Sequence, residues 1–502
     1  MIRYPQILPP KARTVVELGC GDGTLGAAFK RIQPACRYFG IDSSYENVRE
    51  AARRLDRAAV EPPAPVDLSH YGLSDIDCIL CHAPYWQGAD LQALLAAYRQ
   101  MLSKAGQIVL AMDLQYPVSA IAPLLAPFGP AIGQDTDGVR YIRLFCGAQA
   151  VPLGIRTLTY DPACENIRVR LPNGFMQTDP GILIEEETFD EQLCFDPLPT
   201  QENVLLFERL FITNIEHPLM DLNRAAAQHQ VLVHEFDDLP YWGAFYKRNL
   251  HEETDYIAFR GVHAVQTTTP ALADYFRAYN PYVLTFPNML IELPEARSFD
   301  PRAEVVTIFF GAVNREADWQ AIMPAINAAI ARYGTRLRFK VTADRKFFDA
   351  LQTEAKEYVG GAYNEGKFAP YELYMEAMHE SDLALLPLGD TEFNRMKSDL
   401  KFIEAAGNGA VVLASPTVYE RTVRDGRTGF LYRSPQEFSE LLRILVDDPV
   451  LRYETATLAY DYVRRNRLLA QHYEERIHAY RELATHFEML ESARQARIAT
   501  YL

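Results

Sequence analysis

KSDLKFIEAAGNGAVVLAS, running from Lys397 to Ser415, sets two lysines at the start of a short helix of small and apolar residues, then a glycine turn and a buried strand. The first turn of a helix leaves backbone N–H groups without intrahelical partners, and the aligned peptide dipoles put partial positive charge at that end. Anions collect there. Ser398 is the expected N-cap, Lys397 and Lys401 add full charges, and Glu404 follows at a spacing that keeps it near the same end of the helix. The segment reads as a diphosphate site with a carboxylate placed for ribose hydroxyls.

Its surroundings supply the fold. EVVTIFFGA from Glu304, RLRFKVTA from Arg336 and LALLPL from Leu383 are short apolar runs rich in β-branched and aromatic residues, which read as buried parallel strands. Helical stretches separate them: DWQAIMPAINAAIARYG from Asp318 and YELYMEAMHE from Tyr371. AVVLAS, TGFLYR and the helix SPQEFSELLRILVDD follow. Alternating strand and helix predicts a doubly wound α/β domain, whose ligands sit at the carboxyl ends of the strands. Two loops lie at such ends, GAVNREADW and PLGDTEFNRMKSD. A second alternation runs from about Asn203 to Leu290, through NVLLFERLF, QVLVHEFDDLP, GVHAVQTTTPALADYF and NPYVLTFPNML. There His234, Glu235, Asp237 and Asp238 are placed just past a strand, within reach of acceptor or sugar hydroxyls. His217 and His263 have nothing nearby that marks either as a base.

The run from Phe310 to Arg433 resembles the nucleotide-binding half of a GT-B glycosyltransferase of the retaining class numbered family four, and the preceding alternation resembles a shortened partner half. The resemblance rests on FFGAVNREADW, PLGDTEFNRMKSDLKFIEAAGNGAVVLASPTVYE and DGRTGFLY. It implies that Gly311 and Arg315 approach the diphosphate of a nucleotide sugar, that Lys397 and Lys401 bind its phosphates, and that Glu404 holds the ribose. The family often carries a second glutamate eight residues before that one, and this chain has Met396 there. Glu392 or backbone near Asn394 is the substitute. Paired aspartates such as Asp237 and Asp238 also suit a metal. In a GT-B enzyme lysine, arginine and a helix end neutralise the leaving diphosphate, so no metal is expected.

The amino terminus carries a separate signal. In VVELGCGDGTLGAAFK an apolar strand ends at Glu17 and runs through Gly19, Gly21, Asp22 and Gly23 into a helix. Glycines let backbone approach a ligand closely. Thr24 stands where a dinucleotide fingerprint needs its last glycine. The ExGxGxG form resembles class I S-adenosylmethionine-dependent methyltransferases. That resemblance implies binding of S-adenosylmethionine, with Asp42, at the end of YFGID, on the ribose and Asp67 toward the adenine. DIDCILCHAPYW then supplies a fourth strand, LQALLAAYRQMLSKAG a helix and glycine turn, QIVLAMD a fifth strand and VRYIRLFCG a closing one. HAPY, His82 to Tyr85, is similar to the Asn/Asp-Pro-Pro-Tyr loop of amine methylators but breaks it at His82 and Ala83. An imidazole there suits O-methylation of a sugar hydroxyl, since it accepts a proton near neutral pH.

The 502 residues, 48% of them hydrophobic, fill several cores. Expected domains are 1–150 (methyltransferase-like), 151–298 (GT-B acceptor side), 299–455 (nucleotide-sugar side) and 456–502 (carboxyl-terminal helices): three Rossmann-like α/β domains plus helices. The stretch from Val151 to about Thr200, rich in Pro, Asp and Glu, marks the first boundary. Seven cysteines scattered through apolar strands argue for reduced thiols and a cytoplasmic setting. Cys78 and Cys81 form CxxC, but within a strand they face opposite sides. A net charge of −16 repels nucleic acid. No transmembrane segment is read, although a peripheral membrane contact of the helices holding Arg464, Arg465 and Arg467 stays open beside packing onto the transferase halves or an oligomer contact. The expected function is a bifunctional transferase taking a nucleotide sugar, a glycan or protein acceptor and S-adenosylmethionine. A nucleotide-sugar epimerase, or a noncatalytic glycan-assembly scaffold with a degenerate methyltransferase domain, are the alternatives.

Overall fold

The computed structural model describes residues 8–125, 132–136, 138–145, 152–159, 166–188, 196–209, 218–240, 256–298, 300, 304–313, 315–360 and 370–499. His217 lies outside them. Three mostly parallel sheets with interleaved helices form the architecture, the Rossmann-like α/β class expected. The first has the order β3-β2-β1-β4-β5-β7-β6, from β1 (Thr14–Leu18), β2 (Arg37–Asp42), β3 (Arg57–Val60), β4 (Ile76–His82), β5 (Leu102–Asp113), β6 (Ile132–Thr136) and β7 (Val139–Phe145). Only β7 pairs antiparallel, with β5 and β6, among its described strands. The second has the order β13-β12-β11-β10-β8-β9, from β8 (Leu153–Thr159), β9 (Ile182–Thr188), β10 (Glu202–Glu208), β11 (Gln230–Glu235), β12 (Ala264–Thr267) and β13 (Val283–Thr285). The third, β16-β15-β14-β17-β18-β19, is built from β14 (Val306–Gly311), β15 (Leu337–Thr342), β16 (Lys356–Tyr358), β17 (Leu383–Leu386), β18 (Val411–Ala414) and β19 (Phe430–Leu431).

Two-residue periodicity places the cores. In the third sheet Ile308, Phe310, Phe339, Val341, Leu385 and Leu413 join one apolar cluster, whereas Phe309, Ala384, Leu386, Val412 and Ala414 join another. Neighbouring side chains of a strand point to opposite faces, so each strand feeds both layers of helices. Cys78 and Cys81 obey the same rule, falling in separate clusters of the first sheet. Burial drives both thiol pKa values well above the ordinary range, which makes them inert core groups. In the first and third sheets the chain order reverses between the first strand and its neighbour, β1 beside β4 and β14 beside β17. That reversal opens a crevice at the carboxyl ends, where a doubly wound sheet binds ligands.

The chain divides into two compact units, Met1–Val233 with Leu469–Leu502, and His234–Leu468. In the first, the helices Tyr473–Thr485 and Phe487–Ile498 are tied by Arg481 to Glu202 and by Arg494 to Asn223. In the second, the helix Pro449–Asn466 lays Ala459 and Val463 into the third-sheet core.

Several expectations need correction. Strands β8 and β9 occupy the stretch after the first boundary, in which no strand was read. β8 is wholly buried, and its Arg156 pairs with Glu185 and Glu187 of β9, so charges that look like loop in the sequence are ladder partners. The helix expected from Asp318 is two, Glu316–Trp319 and Met323–Tyr333. Pro324 explains the break, because proline suits a first turn and not a helix interior. His234 and Glu235 lie inside β11, fully buried, not past it.

Candidate active sites

At the third-sheet crevice, β14 ends at Gly311, whose position admits no larger residue: a Cβ there would lie 2.7 Å from Phe309 and from Thr342 Oγ1. The lysine helix spans Leu400–Gly407 and stops because Gly409, at φ +76°, turns left-handed and closes the last carbonyls. Its N-cap is Asp399, not Ser398. Ser398 Oγ instead accepts from Asn288 Nδ2 at 2.9 Å, while both Asp399 oxygens take Arg467, at 2.6 and 2.8 Å. The cap position therefore holds a buried ion pair, and Arg467, read from sequence only as part of a basic cluster, fixes the start of this helix.

Lys401 stands in the first turn, partly buried, and its ammonium donates to Gly311 O. Burial pulls its pKa down to about 8, opposed by Glu404 and reinforced by the nearby charges of Arg315 and Lys397. Arg315 and Lys397 are thus near enough to disfavour its charge. Burial likewise raises Glu404 to about 7, opposed by Lys401 and by hydrogen bonds from Tyr374 and Tyr371. Tyr374 donates to Oε2 at 3.0 Å and Tyr371 to Oε1 at 3.4 Å. Both tyrosines are pushed up by burial and by Glu404, so they stay phenols. Arg315 donates to Asp318 at 3.0 Å and to Asn394 at 2.8 Å. Asp318 also accepts from Gly389 N, which ties the two loops at the strand ends together.

Lys397 bonds both oxygens of Asp238, at 2.9 and 3.0 Å. Asp237 is half-buried beside it in sequence, and its carbonyl accepts from Thr268 at 3.4 Å. Met396 contributes its carbonyl to Thr269, and Glu392 sits in the first turn of a four-residue helix whose Asn394 is buried against Arg315. Buried His263 has no acid or base role assigned by this geometry, and His234 Nδ1 lies 3.1 Å from Ala258 O with the ring stacked on Phe259. Burial lowers His234 to about 4, a neutral core histidine. Asp318, Asn394, Tyr371 and Tyr374 were not singled out for these contacts by sequence. The spacing of the two tyrosines along YELYMEAMHE, one helical turn apart, was their signal.

In the first-sheet crevice Gly19, Gly21 and Gly23 have φ of +91°, +55° and +81°, and nothing lies within 4 Å of a Cβ built on Gly21. This left-handed loop, open at its middle, lets backbone approach a ligand closely. Asp42, at the end of β2, accepts from Gly21 N at 2.9 Å, Ser44 N at 2.9 Å and Asn47 Nδ2 at 3.1 Å. Asp22 binds Thr24 and Arg54, whose hydrogen bonds hold its pKa below the usual range. Asp67 is exposed and caps a short 3-10 turn through Ser69. Glu17 is 2% exposed and hydrogen-bonds Tyr38 and His82.

Residues 16–108 match a family model described as a methyltransferase domain, and residues 326–482 one described as glycosyl transferase-like. The second match does not favour the epimerase alternative. The chain is 35% identical over 100 residues to an uncharacterized 37.1 kDa protein in transposon TN4556 of Streptomyces fradiae, covering 19% of this chain and 29% of that one. It is 34% identical over 80 residues to ribosomal RNA large subunit methyltransferase G of Ectopseudomonas mendocina, covering 15% and 21%. The chain thus spans less than a third of the length of either relative. Among solved structures, Anabaena HepE with UDP and glucose is 13% identical over 65% of this chain and 100% of that one, at TM-score 0.44.

Proposed function

We propose that the two domains this chain carries, a methyltransferase domain followed by a glycosyltransferase domain, form one bifunctional enzyme of glycan assembly. The third-sheet crevice takes a nucleotide sugar. Lys401, Lys397, Arg315, the loop at Gly311 and the end of the lysine helix bind its diphosphate, and Glu404 accepts from the ribose. The sugar passes to a glycan or protein acceptor with retention, as the family-four resemblance implies. Asp237 and Asp238 face the acceptor side. The first-sheet crevice holds S-adenosylmethionine over Gly19, Gly21 and Gly23, with Asp42 on its ribose and Asp67 toward its adenine. His82 takes the proton from an acceptor hydroxyl. Among the described residues no helix is long and apolar enough to cross a membrane. A cytoplasmic setting, and domains divided near residues 150, 298 and 455, complete the proposal.

The observation that carries it is the placing of Lys397 just before, and Lys401 within, the first turn of one helix, with Lys401 bonded to Gly311 O at the end of β14, where the chain order reverses. Preorganised positive charge of this kind stabilises a departing diphosphate without reorganisation. Calorimetry with uridine, guanosine and thymidine diphosphates tests it. One of them should bind saturably to the wild type and weakly to Lys401→Ala. Equal binding of both proteins would defeat the assignment.

A further inference from the structure

We propose that Glu17 is a positioning residue that fixes His82 as a proton acceptor through its Nδ1 atom, an inference that rests on the methyltransferase reading. Glu17 and His82 stand at the carboxyl ends of β1 and β4, adjacent parallel strands whose register pairs Glu17 with Leu80 and Leu18 with Cys81. Their side chains meet at the reversal of chain order, with His82 Nε2 3.0 Å from Glu17 Oε1. The other carboxylate oxygen is taken. Tyr38 OH donates to Oε2 at 2.9 Å, and burial first, then Glu17, hold that phenol protonated. Tyr38 is fully buried and Glu17 nearly so. Such a carboxylate, held on one oxygen by Tyr38, presents the other to His82.

A carboxylate oxygen only accepts, and the tautomer of a neutral imidazole is set by the hydrogen bond that one of its nitrogens donates. Nε2 therefore carries the proton, and the neutral ring keeps its lone pair on Nδ1. The ring's orientation agrees. A Cβ on Gly19 would lie 2.9 Å from His82 Cβ and 3.4 Å from Cδ2, so the Cδ2 edge rests on the glycine loop and Nδ1 lies on the other edge. The side chain is 27% exposed, enough to be reached. Gly19 thus has two reasons to be glycine: its φ of +91° and the imidazole against it.

The arrangement suits a hydroxyl acceptor, which needs a base as its oxygen attacks. The acceptor O–H bond breaks and its proton goes to Nδ1 while the oxygen forms a bond to the methyl carbon. The S–CH3 electron pair stays on sulfur, and Glu17 stabilises the imidazolium.

The test uses the full chain with nitrogen-15 histidine, His82 being assigned by loss of its signals in His82→Asn. At pH 7 the wild type should show His82 with the proton on Nε2 in about tenfold excess, the ratio a charge-assisted hydrogen bond supports. Tyr38→Phe, which frees one carboxylate oxygen, should reduce that excess, and Glu17→Ala should bring it down to that of a free histidine side chain. A wild-type His82 protonated on Nδ1, or an excess undiminished in Glu17→Ala, overturns the proposal whether or not Tyr38→Phe folds. Calorimetry with S-adenosylhomocysteine separates the two levels. No saturable heat removes the methyltransferase reading and this role with it, whereas normal heat with the wrong tautomer removes this role alone.

Discussion

The crevices of the first and third sheets share a topology and differ in charge. Around the first stand Glu17, Asp22 and Asp42, with Arg54 as the cation that answers Asp22. Around the third stand Arg315, Lys397, Lys401 and Arg467. The backbone supplies the same opening in both, and the side chains choose the sign of what enters. Under the proposed function a sulfonium with an amino group enters the acidic crevice and a diphosphate the basic one. The two also handle their own charges differently. The first spends its carboxylates on backbone N–H groups and an imidazole, which shape a loop. The third pairs its cations with carboxylates and carbonyl oxygens that an incoming anion must replace.

The largest effect should come from Lys401→Ala, which removes the cation nearest the helix end. Losing about 3 kcal/mol of stabilisation lowers sugar transfer roughly a hundredfold, measured as nucleoside diphosphate release. Asp42→Ala comes next. Its carboxylate holds Gly21, Ser44 and Asn47, so its loss frees the glycine loop, and affinity for S-adenosylhomocysteine should fall about tenfold by calorimetry.

The basic crevice should also respond to pH. Lys401 loses its proton as pH rises through about 8, and Glu404 gains one as pH falls through about 7. Nucleoside diphosphate affinity should therefore be bell-shaped with its maximum between those values, the two limbs belonging to the coupled pair. A flat profile from pH 6 to 9 would remove both groups from the site. The smallest effect, and one of opposite sign, is expected for Asp238→Asn. This pair is about a quarter exposed on both sides and so worth no more than about 1 kcal/mol. Freeing Lys397 from it should tighten nucleoside diphosphate binding by about two- to fivefold.

Much of this was legible in the residues. The glycines and the acidic end of VVELGCGDGTLG, the lysine helix and the alternation of apolar runs each carry their reason locally, in backbone freedom, a helix end or a two-residue period. The legible part ends where a partner lies far along the chain. Nothing in DLKFIE announces that Asp399 is held by Arg467, or that Tyr371 and Tyr374 close on Glu404. Nor does LGIRTLT announce that Arg156 meets Glu185 and Glu187 of β9.

What the sequence determined by itself is most of the elements and much of the chemistry of their ends, because propensity, periodicity and capping act over a few residues. Tertiary structure alone decided which charge meets which: Lys397 with Asp238, Arg315 with Asn394, His82 with Glu17. Hydrogen bonds and ion pairs are short-ranged and directional, and the packing of strands across the sheets sets which distant residues come within that range.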